Sequence, residues 1–286
     1  MKTKKTNRYG NGLKKFGLCA FTAALISVNV CQPYIYPVYA DDVQEESSAQ
    51  AEIETMYIST VDDFLEFAAN CYIDSWSVNK KIVLRNNLDF TGRELVMVPV
   101  FAGEFDGNGH TISGIDFTGE SYVTAIFRYV EENGVIDSLN VKGNIAALDE
   151  QECVGGIVGS NYGTIKNCSF EGTVNGKNTI GGIAAFNKST GVIKKCEVRG
   201  RITGSYYTGG ITGINHGIIN NCANAAGIND DSAWVESEDE NSSNIIGNIT
   251  GNESSSIRSG IDTGGISGFS DGIIASCNNN GQVGYE

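Results

Sequence analysis

Four cysteines, whose thiols could form disulfides or bind a metal, lie at a fixed place in a repeated phrase of this chain. Each ends the phrase Gly-x-Ile-x-x-Cys, and spacings of 28, 26 and 55 residues separate Cys168, Cys196, Cys222 and Cys277. An even number of cysteines in an exported protein suggests disulfides. Residues in one phase of a repeat, however, stack in a column, where cysteine serves as a small apolar filler. We therefore expect buried free thiols at these positions.

Metal-binding chemistry has little support in the residues. A zinc site takes closely spaced Cys and His ligands, but the chain has no CxxC pair, and its two histidines, His110 and His216, lie in different segments. A zinc protease would carry HExxH, which is also absent from the sequence. We therefore predict no metal-binding residue, no cofactor-binding residue and no cofactor.

Asp106 is the carboxylate in the most suggestive position, because it lies in the turn phrase Phe-Asp-Gly-Asn-Gly. Enzymes built from stacked coils bring several carboxylates, with Ca²⁺ or an arginine, onto one outer face. We see no acidic pair at the repeat spacing, and an aspartate in such a turn commonly bonds its own backbone. We therefore assign no catalytic residue and predict that the chain is not an enzyme. A polysaccharide-active lyase or hydrolase is the alternative.

An acidic insertion, residues 229–260, interrupts the repeat between Cys222 and Gly264. Near Trp234 it carries a cluster of acidic residues, namely Asp230, Asp231, Glu236, Glu238, Asp239 and Glu240. One interpretation is a projecting loop that binds cations or a partner through Trp234. The other is a solvated loop between coils. The second is favoured, because the acidic residues match no calcium-loop spacing and the segment is rich in Ser and Asn.

A second repeated phrase, Gly-Gly-Ile, indicates the elements that must hold these residues. It begins at Gly155, Gly181, Gly209 and Gly264, and its period is typical of solenoids. One such unit cannot bury its own apolar face, but stacked units place Ile on Ile and Cys on Cys about 4.8 Å apart. Short alternating runs, such as residues 170–174, indicate small strands joined by tight turns. The sequence thus predicts an all-β parallel β-helix.

The composition favours stacked strands over a helical solenoid. The chain has 36 glycines and three prolines. Glycine serves tight corners, where φ is positive or a Cβ would clash, whereas proline cannot donate to a strand ladder. The repeats also lack the apolar spacing of three and four residues that amphipathic helices need.

Residues 1–40 have the pattern of a secretory signal peptide cleaved after Ala40. Six basic residues precede an apolar stretch, residues 16–30, and Val-Tyr-Ala stands before the expected cleavage site. An uncleaved anchor is the alternative. Without residues 1–40 the chain keeps 14 basic and 34 acidic residues, a net charge of −20, which argues against nucleic acid as a partner. We expect a secreted or cell-surface protein with no integral membrane span apart from the signal peptide.

A cap and the first coils are expected between the leader and the repeats. Residues 41–55 are acidic and carry Ser and Gln, as in a flexible linker. In the next segment, 56–133, residues 59–63 offer a capping box for a short helix. The apolar face of this helix consists of Val61, Phe64, Leu65, Ala68, Cys71 and Tyr72. We expect the helix to cover the first coil, since an uncovered end exposes unpaired backbone.

These motifs resemble the GLUG repeats of bacterial surface proteins. The resemblance covers roughly residues 55–286 and is carried by Gly-Gly-Ile-x-Gly, Asn-x-Gly-x-Ile-x-Asn-Cys and Gly-x-Val, while residues 105–112 are similar to the coil that precedes such repeats. The resemblance implies a right-handed β-helix, in which we place repeats at 134–228 and a further, truncated repeat at 261–286. Some relatives are IgA-cleaving metallopeptidases, but without HExxH that activity is not carried over.

We therefore expect a non-enzymatic β-helix that acts as an adhesin, a stalk or a binding scaffold. The candidate partners are host or environmental glycans, matrix proteins, and neighbouring repeats of the same protein. An accessory region of a surface protease is a further alternative. The chain stops after the closing phrase at residues 281–284 without a polar lid. We therefore expect the 41–286 product to associate end to end or to fray at its last coil.

Overall fold

Parallel strands wind through about six turns of a β-helix in the computed structural model of the chain, which confirms the predicted fold. The structure describes residues 53–148, 153–230 and 262–284. The expected signal peptide, most of the expected linker and most of the acidic insertion, with Trp234, lie outside the described residues. Four parallel sheets run along the stack, and a full turn contributes a strand to each sheet.

Sheets 1 and 2 have eight strands each. In stacking order, sheet 1 consists of Glu54–Ile58, Lys80–Leu84, Glu104–Asp106, Val135–Asp137, Thr164–Lys166, Val192–Lys194, Ile218–Asn220 and Ile273–Ala275. Sheet 2 consists of Leu88–Asp89, Thr111–Gly119, Asn140–Ala147, Ser169–Asn175, Glu197–Thr203, Ala223–Asn224 and Asn278–Asn279, with Gly227–Ile228 also paired to Glu197–Thr203.

Sheets 3 and 4 complete each turn with shorter strands. Sheet 3 consists of Val123–Thr124, Cys153–Gly155, Thr179–Gly181, Tyr207–Gly209 and Thr263–Gly264. Sheet 4 consists of Val98–Phe101, Phe127–Val130, Val158–Asn161, Ala184–Asn187, Thr212–Asn215 and Ser267–Ser270.

The Ile of each repeat is the middle residue of a sheet 1 strand, and its side chain points into the stack. The parallel register places these side chains directly on one another inside the stack, about 4.8 Å apart. Burial of a large apolar side chain stabilises the fold by about 1.5–3 kcal/mol. A continuous core is therefore formed by fully buried residues on six successive coils, namely Ile82, Phe105, Ile136, Ile165, Ile193 and Ile219.

The repeat cysteines form a second interior column, at the corner between sheets 1 and 2. Cys168, Cys196 and Cys222 are buried, Cys277 is partly buried, and all four are free thiols, as expected. The Cys168 thiol donates to the carbonyl oxygen of Lys166 at 3.1 Å. A hydrogen bond with the Cys168 thiol raises the pKa of Cys196 well above its usual range, and burial raises it further. Because the thiolate is the nucleophile, the Cys196 thiol packs the corner and does not act as a nucleophile at neutral pH.

An asparagine ladder also lies inside the stack, at the end of sheet 4. Asn161, Asn187 and Asn215 are fully buried. Asn161 Nδ2 donates to Asn187 Oδ1 at 2.8 Å, and Asn187 Nδ2 donates to Asn215 Oδ1 at 2.8 Å. Asn187 Nδ2 also donates to the carbonyl oxygen of Gly191 at 3.2 Å. A buried amide is costly unless it is hydrogen-bonded, so the ladder fixes how one coil sits on the next.

Three stacked glycines explain the Gly of the Gly-x-Val phrase. Gly143, Gly172 and Gly200 lie in register on adjacent strands of sheet 2, with φ angles of +156°, +151° and +109°. A Cβ on Gly172 would lie 1.8 Å from the carbonyl oxygen of Gly143. Both the backbone conformation and the close approach of the coils therefore require glycine.

One helix, α1 (Val61–Asn70), follows the first strand of sheet 1. The Thr60 hydroxyl accepts a hydrogen bond from the Asp63 backbone N–H at 3.2 Å, and the Asp63 carboxylate accepts one from the Thr60 backbone N–H at 3.0 Å. The predicted capping box is therefore present. It satisfies two backbone donors that the first turn of a helix leaves unpaired.

The apolar face of α1 packs on an aromatic cluster of the first coils. The ring centroid of Phe67 lies 5.7 Å from that of Phe64 and 5.9 Å from that of Phe101. Most of the predicted face is buried or partly buried, but two residues differ. Phe67, which was not predicted, is fully buried, whereas Tyr72 is 70% exposed. The reason is that the helix ends at Asn70, so its periodicity does not reach Tyr72.

Candidate binding surface

The outer face of sheet 1 carries charges that change sign along the stack. The last residues of successive strands form one column, which consists of Asp106, Asp137, Lys166, Lys194 and Asn220. Neighbours in such a column are about 4.8 Å apart. Lys166 Nζ lies 3.1 Å from Asp137 Oδ2 at the point where the sign changes. The column is therefore acidic on two coils and basic on the next two.

Asp106 and Asp137 are directly paired on adjacent strands of sheet 1. The expectation that no acidic pair lies at coil spacing is therefore wrong. The sequence spacing conceals this pair, because four residues, 107–110, connect Asp106 to its sheet 2 strand at Thr111, whereas two residues connect Asp137 to Asn140.

Both carboxylates of this pair already have partners. Asp106 Oδ1 accepts from the Asn108 backbone N–H at 2.9 Å, the turn bond expected from the sequence, and Asp106 Oδ2 lies 3.4 Å from Lys81 Nζ. Asp137 Oδ1 accepts from Asn167 Nδ2 at 2.8 Å. Burial raises the pKa of Asp137. Hydrogen bonds from three side chains, of which that of Asn167 has the largest effect, outweigh burial and hold this pKa below its usual range. A general acid needs a pKa near the working pH, so Asp137 suits ion pairing better than general acid catalysis.

Basic residues are concentrated in the middle of the stack. Residues 53–148 contain 14 acidic and six basic residues, whereas residues 153–229 contain two acidic and seven basic residues. The seven basic residues are Lys166, Lys177, Lys188, Lys194, Lys195, Arg199 and Arg201. The overall net charge of −14 therefore conceals a positive segment.

Ion pairs neutralise only part of this positive charge. Arg201 Nε, for example, lies 2.9 Å from Asp230 Oδ1. Lys194 and Lys195 are exposed, and within the described ranges neither side chain has an ion-pair partner. The corner between sheets 1 and 2 therefore presents two adjacent ammonium groups to solvent.

One row on sheet 4 contains four large side chains and the small residue Ser160. Phe269 is 40% exposed, and Lys188 Nζ lies 4.1 Å from the ring centroid of Phe186. A cation over an aromatic ring is favourable, but at exposed sites it contributes only about 0.5–1 kcal/mol. In stacking order the row consists of Tyr129, Ser160, Phe186, Ile214 and Phe269.

The two histidines lie at different places in the stack. His110 Nδ1 is 3.3 Å from Asn87 Oδ1, and His216 Nδ1 is 2.5 Å from Asp271 Oδ1. Within residues 53–148, 153–230 and 262–284, no three His, Cys, Asp or Glu side chains are close enough together to hold a metal ion. The same ranges contain no helix with the length and apolar character that a membrane span requires.

Residues 150–175 match the protein family described as the GLUG motif. The chain carries a GLUG motif. The matched residues include the sheet 3 strand Cys153–Gly155, the sheet 4 strand Val158–Asn161, the sheet 1 strand Thr164–Lys166 and the sheet 2 strand Ser169–Asn175. The GLUG motif of this chain is therefore one full turn of the β-helix.

Known proteins are similar to parts of the chain. Halomucin of Haloquadratum walsbyi is 38% identical over 85 residues, which cover 29% of this chain and 1% of halomucin. A candidate Gly-rich membrane protein of Evansella cellulosilytica is 35% identical over 74 residues, which cover 25% of this chain and 8% of that protein. Among solved structures, a candidate immunoglobulin A1 protease from Bacteroides ovatus has a TM-score of 0.49 and 19% identity, covering 61% of this chain and 60% of that one. The similar regions are thus a small fraction of both curated relatives.

Two features of the repeat coils were missed in the sequence analysis. The first is the ladder of Asn161, Asn187 and Asn215. An Asn ahead of the glycine in three of the four Gly-x-Ile phrases, with Ser270 in the fourth, was a visible signal. The second is the exposed pair Lys194 and Lys195, which the strongly acidic total concealed. Counting charges coil by coil, instead of over the whole chain, would have found this pair.

Proposed function

We propose that this chain is a non-enzymatic β-helix that works outside the cell as an adhesin, a stalk or a binding scaffold. The observation that carries the proposal is the division of polar groups between the inside and the outside of the stack. The buried asparagines bond to one another from coil to coil, whereas charged side chains on the outer face of sheet 1 form a column along the stack. Such a solenoid offers a long, repetitive surface for contacts.

Placement outside the cell is supported by two features. Residues 1–40 have the pattern of a cleaved signal peptide. One relative, similar over 25% of this chain, is named as a membrane protein. Together with the GLUG motif, these features favour a protein of the cell surface or the medium.

The alternative is a polysaccharide-active β-helix enzyme, and the stacked pair of Asp106 and Asp137 is the observation that favours it. Two features of the pair support a structural role instead. Lys81 lies within ion-pair distance of both Asp106 and Glu104, at 3.4 and 2.9 Å, so a lysine already supplies the positive charge there. The pKa of Asp137 is lowered by its hydrogen bonds, although burial opposes this, which keeps it ionised at neutral pH.

A co-sedimentation assay separates the two functions. The purified protein is incubated with insoluble acidic and neutral polysaccharides and with immobilised matrix proteins, and the bound protein, new reducing ends and peptide fragments are measured. We expect retention on at least one of these materials and no product. If product forms and the Asp106→Asn/Asp137→Asn variant no longer makes it, the chain is an enzyme. If nothing retains the protein, the binding role fails and only the stalk role is left.

A further inference from the structure

The corner between sheets 1 and 2 holds an unfavourable arrangement of positive charges. Lys166 and Lys194 are direct neighbours on adjacent strands, and like charges in such cross-strand positions are destabilising. Asp137 compensates Lys166 at 3.1 Å. The next neighbour of Lys194 in the column is the neutral Asn220, so the charge of Lys194 has no compensation from the adjacent coil.

Lys195 adds a second unfavourable feature at the same corner. Its φ is +54°, in the left-handed region, at a position where the other GLUG coils carry Asn or Ser. Asn tolerates this conformation far better than a long side chain does. A strained residue persists where another interaction compensates for it, and such residues cluster at functional sites. Asn167 and Asn221, which are exposed, hold the equivalent position on the coils on either side of Lys195.

From these observations we propose that the corner formed by Lys166, Lys194 and Lys195, with its flanking asparagines, binds an anionic polysaccharide. The ammonium groups would pair with carboxylate or sulfate groups of the polymer, and the amides would bond to its hydroxyls. The proposal deepens the proposed function, on which it rests, by naming the class of ligand.

The dimensions of the corner favour a single extended polymer. Strands of three residues make sheet 1 about 10 Å wide here. A stable protein interface buries about 800 Å² on each partner, which is more surface than this narrow strip offers. A stack of coils spaced by about 4.8 Å repeats along the axis, as a linear polymer does. Single-stranded nucleic acid would need aromatic platforms for its bases, and the corner residues Lys166, Lys194, Lys195, Asn167 and Asn221 include none.

The acidic remainder of the chain does not cancel this local charge. At physiological ionic strength, charges more than about 8 Å apart are largely screened from one another. Among residues 53–148, which carry 14 acidic and six basic side chains, Asp137 offsets the charge of Lys166. Lys194 lies one coil beyond Lys166, about 9.6 Å from the coil of Asp137. Binding should therefore occur locally and weaken as salt rises.

Affinity electrophoresis of the purified protein in gels that contain polygalacturonate, dextran sulfate or neutral dextran tests the proposal. We expect retardation by at least one acidic polymer and none by dextran. The double variant Lys194→Gln/Lys195→Gln should weaken binding by about tenfold, and an increase from 50 to 500 mM NaCl should weaken it by about tenfold as well. Circular dichroism confirms that each variant is folded.

The matched control is Lys80→Gln/Lys81→Gln, which removes two lysines from the same sheet in the acidic part of the stack. It should bind the acidic polymers within about twofold of the unmodified protein. Equal losses in the two variants, binding that does not respond to salt, or no binding to either acidic polymer would overturn the proposal. Retention on a neutral polysaccharide or a matrix protein in those cases would leave the scaffold function standing.

Discussion

Replacing Asn187 with alanine should lower the free energy of unfolding by about 4 kcal/mol, because it opens the buried ladder in its middle. Asn187 is fully buried. It accepts a hydrogen bond from Asn161 and donates to Asn215 and to the Gly191 carbonyl. Without the amide, the buried oxygens of Asn215 and Gly191 lose this donor, and each buried group left unpaired costs about 1–3 kcal/mol. Urea unfolding followed by circular dichroism measures the change.

The control for this variant is Asn175→Ala, which removes an exposed amide at the end of a sheet 2 strand. It should change the free energy of unfolding by less than about 0.5 kcal/mol, as surface substitutions usually do. Equal costs for Asn187→Ala and Asn175→Ala would show that the ladder does not hold the coils together.

Replacing Gly172 with alanine should cost about 4 kcal/mol or more, enough to prevent folding of the coils around it. The new Cβ would lie 1.8 Å from the carbonyl oxygen of Gly143, a backbone atom of the preceding coil. The backbone at Gly172, with φ at +151°, is also one that residues with a side chain rarely adopt. Both effects act at once, because the residue with this positive φ also lies against the backbone of the preceding coil. Soluble yield and the urea midpoint measure the loss.

Gly92→Ala separates the two effects. Its φ is +71°, but a Cβ there meets nothing within 4 Å. It should therefore cost only the conformational strain, about 1 kcal/mol. If Gly172→Ala were no more costly than Gly92→Ala, the close stacking of sheet 2 would be contradicted.

The repeated phrases were sufficient to predict the coils. The repeat period places the Ile of each Gly-x-Ile phrase, such as Ile165, on the same face of successive coils, which produces the Ile column. The Cys column follows from the same period. The helix could also be predicted, since Thr60 and Asp63 form the capping box that their spacing suggests. These features are local or strictly periodic, so that no knowledge of the register was needed.

The features that could not be predicted from the sequence depend on the register between coils. The pairing of Asp106 with Asp137 was missed, because the turn after Asp106 is two residues longer than in later coils. The roles of Asn187 and Gly172 depend on which atoms of the neighbouring coil lie above and below them. Whether the charges of Lys194 and Lys195 are compensated depends on which residues of the neighbouring coils lie beside them.

A stack of this kind separates stability from recognition. Buried Ile, Cys and Asn columns hold the coils, so that outer residues are free to vary without loss of the fold. The basic corner around Lys194 illustrates this freedom, since it occupies positions that are acidic on earlier coils. Function in such a chain should therefore be sought on the outer faces.

The central claim, that this β-helix works outside the cell, is tested most directly by sequencing the N-terminus of the protein recovered from intact producing cells and their medium. The account predicts that the chain begins at Asp41, after cleavage behind Ala40. It also predicts that protease added to intact cells removes any cell-bound protein. A chain that begins at Met1 and is protected from protease until the cells are broken would contradict it.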